Sequence, residues 1–218
     1  MIPIGIFSAV AVLAFAFFSW YRPWHLKWGA TREELSRSMP GDEIVPRPIF
    51  NATRAVTIDA RPEDVWPWIL QIGFWRAGWY TYDILDNLGR RSADRIVPDL
   101  QHMEVGDLVP MGPGKSSGIW VKEFVPNRSM VWWNKKDDQT TWVWSLDRLP
   151  DGKTRLVTRV RAPLSWSQPA SFVWLVMFEL ADFPMMRKCL LGIKRRAEAQ
   201  VANVRASSSL PEVPAASL

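Results

Sequence analysis

The chain has 218 residues, a formal charge of +5, and 48% apolar against 22% charged residues. That balance is globular, so disorder throughout is excluded, and the length fits one domain with appendages. One cysteine, Cys189, excludes an intrachain disulfide framework, and two histidines, His25 and His102, leave no Cys/His zinc set. Fourteen Trp against three Tyr is the outlying feature, and Trp is favoured at core edges and around greasy ligands.

In chain order, Ile2–Trp20 carries no charge, and Trp20, Tyr21 and Trp24 follow it like an aromatic belt. The stretch predicts a transmembrane anchor over 1–21. Because Arg22, Lys27, Arg32 and Arg37 all come after it, the expected topology is single-pass with a cytoplasmic C-terminal domain. The rival reading is a cleaved signal peptide, with Ala14-Phe15-Ala16 as cleavage site but no basic n-region before it. Residues 22–50 read as a juxtamembrane short helix and connector. Thr31 and Glu34 form a capping box there, and Pro40-Gly41 stops the helix.

Thr53–Asp59 alternates as a strand. Pro62-Glu63-Asp64 opens a helix with the stripe Val65, Trp68, Ile69, Ile72; Pro67 must either kink it or delay its start to Asp64. Phe74–Asp99 has no clean period, apart from a possible short helix over Tyr82–Leu88. Five strands follow, over 106–111, 118–125, 129–134, 140–149 and 153–162, joined by turns at 110–114, 126–127, 136–138 and 150–152. Such short links predict an antiparallel meander. Ser167–Arg205 is helical, all-apolar over Phe172–Phe178, with the later stripe Met186, Leu190, Ile193, Ala197, Val201. Residues 206–218 read as a disordered Ser/Pro/Ala tail. The expected class is α+β over 51–205, because the long helix is the one element large enough to cover the sheet.

This order resembles the START-like, helix-grip superfamily (SRPBCC). Local strings carry the resemblance to a bacterial branch of it whose members often have an N-terminal membrane segment: Trp28-Gly29-Ala30-Thr31, Pro40-Gly41-Asp42-Glu43, Val65-Trp66-Pro67-Trp68, Arg76-Ala77-Gly78-Trp79-Tyr80, Val105-Gly106-Asp107 and Gly192-Ile193-Lys194-Arg195-Arg196 among them. The resemblance covers roughly residues 28–200. It implies a curved antiparallel sheet wrapped on a long C-terminal helix. It implies no single activity, since lipid carriers, polyketide cyclases and plain binders share that scaffold, and it brings no catalytic residues with it.

Candidate ligand-binding residues come from three places. Arg76, Trp79, Tyr80, Tyr82 and Asp83 make the densest polar and aromatic cluster. It reads as a pocket mouth, or as a structural Arg76–Asp83 pair pinning an irregular segment. At 26 residues, Phe74–Asp99 is long for an idle connector. It is expected to form a lid with Trp79 and Tyr80 inward and Asp83 near Arg76 or Arg159. Trp142 and Trp144 share one strand face that should meet the helix or the ligand. Arg155, Arg159 and Arg161 share another face, either as solvated charges or, if it lines the cavity, with Arg159 clamping an anionic headgroup. Glu179 and Asp182 read as cavity acids or as the polar edge of the last helix.

Gly114-Lys115-Ser116-Ser117-Gly118 has the letters of a nucleophile elbow but a strand follows it, so it reads as a hairpin loop. Basic residues gather with stacking aromatics in no motif that would bind nucleic acid. No cofactor is expected. The sequence therefore points to a protein that holds a hydrophobic small molecule or lipid near a membrane. A cyclase-type enzyme and a scaffold filled by its own Trp side chains are the alternatives, and the oligomeric state stays open.

Overall fold

The computed structural model describes residues 4–114, 117–134, 140–164, 167 and 169–208. The 136–138 turn, the tail from 209 onward, and Lys115 and Ser116 of the elbow-like loop lie outside the described residues.

The order is α1 (Ile4–Ala16), α2 (Arg22–Leu26), α3 (Arg32–Ser36), β1 (Phe50–Ile58), α4 (Pro62–Leu70), α5 (Asp83–Asp86), β2 (Leu108–Pro110), β3 (Gly118–Val125), β4 (Ser129–Trp133), β5 (Thr141–Arg148), β6 (Thr154–Ala162), α6 (Pro169–Met177) and α7 (Phe183–Ser208). The six strands form one antiparallel sheet in the order β1-β6-β5-β4-β3-β2. β2 to β6 form the meander that short turns demand. β1 arrives from the other end of the domain and pairs with β6 along its whole length, Phe50 opposite Ala162 and Ile58 opposite Thr154. This is a helix-grip-like α+β arrangement. Met186, Leu190, Ile193 and Ala197, spaced along one stripe of α7, are buried in the same apolar cluster as Ile58, Trp144, Leu146 and Leu156 of the sheet.

α4 packs on the same side. It begins at Pro62 with Arg61 as N-cap and continues through Pro67, whose missing N–H forgoes one bond to the Glu63 carbonyl. The Thr31–Glu34 capping box forms as expected: the Glu34 N–H donates to Thr31 Oγ1 at 3.2 Å and the Thr31 N–H to the Glu34 carboxylate at 2.7 Å.

The membrane span is a correction. Among the described residues no helix is long and apolar enough to cross a membrane. α1 has 13 residues, and at ~1.5 Å per residue it rises to only about two-thirds of a ~30 Å hydrocarbon core. A π turn over Phe17–Tyr21 follows, and then Arg22, whose guanidinium is drawn into the domain by Glu179 at 2.7 Å. The described residues therefore give no support to the transmembrane anchor, the single-pass topology and the cytoplasm-facing placement expected from Ile2–Trp20. Absence of charge marked the stretch as apolar, but regular α-helical bonding gives way to the π turn at Phe17 and the chain then enters α2, whose Arg22 is charged.

The arginine face of β6 is neither solvated nor turned to the cavity. α3 and the connector after it lie across the outer face of the sheet as a strap. Arg155 pairs with Glu34 at 2.6 Å, and Arg159 and Arg161 both pair with Asp42, at 2.6 and 2.9 Å. Arg159, 3% exposed, also donates to Thr53 Oγ1 and to the carbonyls of Arg37 and Glu34. Between these arginines, Val157 joins Met39, Ala55, Val131 and Val143 in a small second core beneath the strap.

Candidate functional site

The inner face of the sheet is paved with indoles. Trp132 lies edge-on to Trp142 and Trp144, with ring centres 5.1 and 5.6 Å away, and Trp79 stacks on Trp142 at 5.7 Å with the planes 12° apart. Period-two alternation on β4 and β5 puts Trp132, Trp142 and Trp144 on one side. Trp79 comes from the irregular segment after α4, which does fold back over the sheet. The Trp142 indole N–H donates to Thr158 Oγ1 at 2.8 Å, so this ring is held in one orientation.

Two devices seat that segment. Gln71, at the end of α4, donates to Tyr80 Oη at 2.9 Å and accepts from the Val97 N–H at 3.0 Å, while Tyr80 Oη donates to the Trp68 carbonyl at 3.1 Å. Burial pushes the Tyr80 phenol far up, the Gln71 hydrogen bond opposing it only partly, so Tyr80 stays protonated and structural. The second device is Gly192 of α7. A Cβ there would stand 2.6 Å from the Tyr80 carbonyl oxygen and 2.8 Å from its Cβ, so only a glycine lets the segment lie against the helix.

Between this segment, β5 and the α6–α7 helices remains a half-open pocket of about 220 Å³. Trp79 and Trp142 form its floor. Trp174, Met177, Met185 and Met186 form the helical side, and Met111 closes one edge. Its polar atoms are few: Thr81, Asp86, Asp182 and the Cys189 thiol. A π turn over Phe178–Asp182, just before Pro184, joins the two helices. Such a turn re-aims side chains, and both acids of this one face the domain. Glu179 is buried against Arg22 at 2.7 Å and His25 at 3.0 Å. Asp182 meets Arg54 of β1 at 2.5 Å. Arg54 is fully buried on the inner sheet face, over the ring of Phe183, and also donates to the His25 carbonyl.

Asp86 is the polar group that stands out. The Thr81 hydroxyl donates to Asp86 Oδ2 and itself accepts from the Tyr82 N–H. Asp86 Oδ1 is buried and has no hydrogen-bond partner. Burial, and then the neighbouring Asp83 charge, hold this carboxyl above the ordinary range against the Thr81 bond and the more distant Lys188. Cys189 beside it is 2% exposed, and burial pushes its thiol far up, so it is an inert thiol rather than a nucleophile.

Of the residues singled out from the sequence, Trp79 and Trp142 line this pocket and Trp144 packs behind them. Arg76 donates to the carbonyls of Leu70 and Leu100, at 2.9 and 3.2 Å, and pins the segment. Asp83 meets neither Arg76 nor Arg159; its Oδ1 accepts from the Ser92 N–H at 3.1 Å and the Ser92 hydroxyl at 2.5 Å. Tyr80 and Asp83 line a separate polar groove on the outer side of the segment, with Lys188, Arg195 and Arg196. Tyr82 is 42% exposed under the Lys188 ammonium, 3.7 Å from its ring centre. Arg159 lies on the far side of the sheet, under the strap. Sequence reasoning did not single out Gln71, Thr81, Arg54 or Cys189. Asp86 stands three residues from Asp83, and nothing local shows that one of its carboxylate oxygens is buried.

No family model and no curated protein matches the chain. Solved structures do. A polyketide-cyclase-like protein from Corynebacterium glutamicum is 16% identical, with TM-score 0.45, over 72% of this chain and 96% of that one. A protein from Chromobacterium violaceum is 13% identical, with TM-score 0.41, over 68% and 96%. The Aha1 dimer from Colwellia psychrerythraea is 15% identical, with TM-score 0.36, over 68% and 96%. These likenesses concern fold alone, and the chain's own topology defines that fold here.

Proposed function

We propose that the protein binds a small hydrophobic molecule in the pocket between the Trp-paved sheet and the α6–α7 helices. The observation that carries this reading is the composition of that pocket: a rigid aromatic floor, an adaptable wall of methionines and a few converging polar groups, the usual make-up of a ligand site. Its size limits the ligand. At about 220 Å³ it is smaller than the ~300–1,000 Å³ of typical ligand pockets, because the indoles already fill much of the grip. A single ring system or a short chain is the matching class.

Cys189 provides the test, since it is the one cysteine of the chain and it lines the pocket. Labelling of native protein by a small maleimide should be slow and should slow further, by about tenfold or more, on saturation with a short alkyl or single-ring compound. Native mass spectrometry of the same samples should show one bound molecule per chain. A labelling rate unchanged by every such compound would favour instead a scaffold filled by its own tryptophans.

A further inference from the structure

We propose that the polar groove on the outer side of the 74–99 segment is a separate binding site, and that it takes a small molecule carrying more than one phosphate charge.

The groove lies between that segment and α7 and has a volume of about 890 Å³, within the ~300–1,000 Å³ of ligand sites. Arg91 and Arg95 line it from the segment, and Lys188, Arg195 and Arg196 from α7. Against these five cations stand two carboxylates, Asp83 and Asp94. Asp83 is already engaged, since its Oδ1 accepts from the Ser92 N–H and hydroxyl. The arginines of the sheet are handled differently: Arg54, Arg155, Arg159 and Arg161 each hold a carboxylate of this chain. Among the described residues Arg91, Arg95, Lys188 and Arg195 hold none, and Lys188 rests on the Tyr82 ring. A cleft lined mainly by one sign of charge focuses its field on whatever enters, and here the entrant must be an anion.

Arg196 gives the groove a fixed point. Its Nε donates to the Ala93 carbonyl at 2.7 Å and its Nη1 to the Gly192 carbonyl at 3.3 Å, and its guanidinium carbon lies 4.4 Å from the Tyr80 ring centre. Nη2 has no partner among the described residues and is not sealed from the groove. Burial holds this guanidinium below its usual range, a desolvation cost that a bound anion would offset. One carboxylate would satisfy one guanidinium and leave the other cations facing each other. A diphosphate presents several charged acceptor oxygens to several forked donors at once. The groove is larger than such a head group. Arg95, Arg195 and Arg196 also line a hollow that continues along α7 past Gln200 and Asn203, which leaves room for an organic body beside the phosphates.

The test titrates inorganic pyrophosphate into the full chain by calorimetry, at pH 7.5 and an ionic strength of about 0.15 M, where diffuse surface attraction is screened. Wild-type protein should bind one pyrophosphate per chain. Arg91→Gln with Arg195→Gln should weaken this by about tenfold or more. Both side chains are exposed, so their loss leaves the fold in place. The control, Arg32→Gln with Arg128→Gln, removes the same charge at exposed positions outside the groove and should stay within about twofold of wild type. Equal weakening in both variants would mean that overall charge alone attracts the anion, and would overturn the site. So would the lack of saturable binding to wild-type protein. The apolar pocket is read by Cys189 labelling with uncharged compounds, so either proposal can fall while the other stands.

Discussion

The two faces of the sheet solve the same problem in opposite ways. Both are buried. The inner face is closed by an aromatic cluster in which Trp132 and Trp144 are fully buried. The outer face is closed by arginines that reach across to Glu34, Asp42 and backbone carbonyls of the strap. Apolar burial is non-directional and tolerates a residual hole, and the inner face has one, the pocket. A hydrogen-bonded ionic layer tolerates none, because each unpaired charge out of water is costly. The face built from indoles can therefore host a ligand, whereas the face built from guanidiniums is committed to holding the N-terminal strap.

The largest effect should come from the inner face. Trp132→Ala removes the ring at the centre of the cluster and should cost ~3–5 kcal/mol in urea denaturation, the usual range for a core Trp truncation. A loss below 1 kcal/mol would mean that the indoles are not a packed core, and the contrast between the faces would collapse.

Arg159→Leu comes next. It strips the Thr53 hydroxyl and the carbonyls of Arg37, Glu34 and Leu35 of that donor and leaves Asp42 with Arg161 and the Met39 N–H. The cost should be about 2–3 kcal/mol, below that of breaking a fully isolated buried pair because Asp42 keeps Arg161 and the Met39 N–H. Arg159→Lys should recover less than half, since one ammonium cannot span that fork of acceptors. Full rescue by lysine would reduce the strap to a simple charge contact.

Acid should separate the faces by sign, with the smallest effect. Burial alone would raise the Glu34 carboxyl, but the Arg155 hydrogen bond, the Thr31 N–H and the charges of Arg155 and Arg37 bring it below its ordinary 4.5. A depressed carboxyl contributes stability that is present above the unfolded value and is lost as pH falls through the folded one. Asp86 runs the other way. Its raised carboxyl takes up a proton more readily folded than unfolded, so its burial cost is relieved as pH falls. Hydrogen exchange, corrected for intrinsic rates, should show amides of α3 losing protection below about pH 4.5 while those of α5 hold or gain. Loss in both segments together would mean global acid unfolding and no distinction between the faces.

Several features of this molecule were legible in its residues because they depend on near neighbours. Five strands, and the turns that fall among the described residues, followed from period-two alternation and turn signals. The buried stripe of α7 followed from period-3.6 spacing, and the α3 cap from Thr31 and Glu34, three residues apart. The tertiary structure decided what depends on distant partners. Alternation placed Arg155, Arg159 and Arg161 together, but whether that face met water, a ligand or another part of the chain turned on Glu34 and Asp42, more than 110 residues away. The apolar run of Ile2–Trp20 suggested a span, yet the change from α-helix to π turn at Phe17 is a matter of backbone geometry that hydropathy does not encode. Arg54 and Asp182, 128 residues apart, were each unremarkable alone. Asp86 has a buried, unpaired oxygen only in the folded chain, where tertiary packing excludes water from it. Periodicity is a local property and survives in the sequence, whereas desolvation belongs to the packed whole.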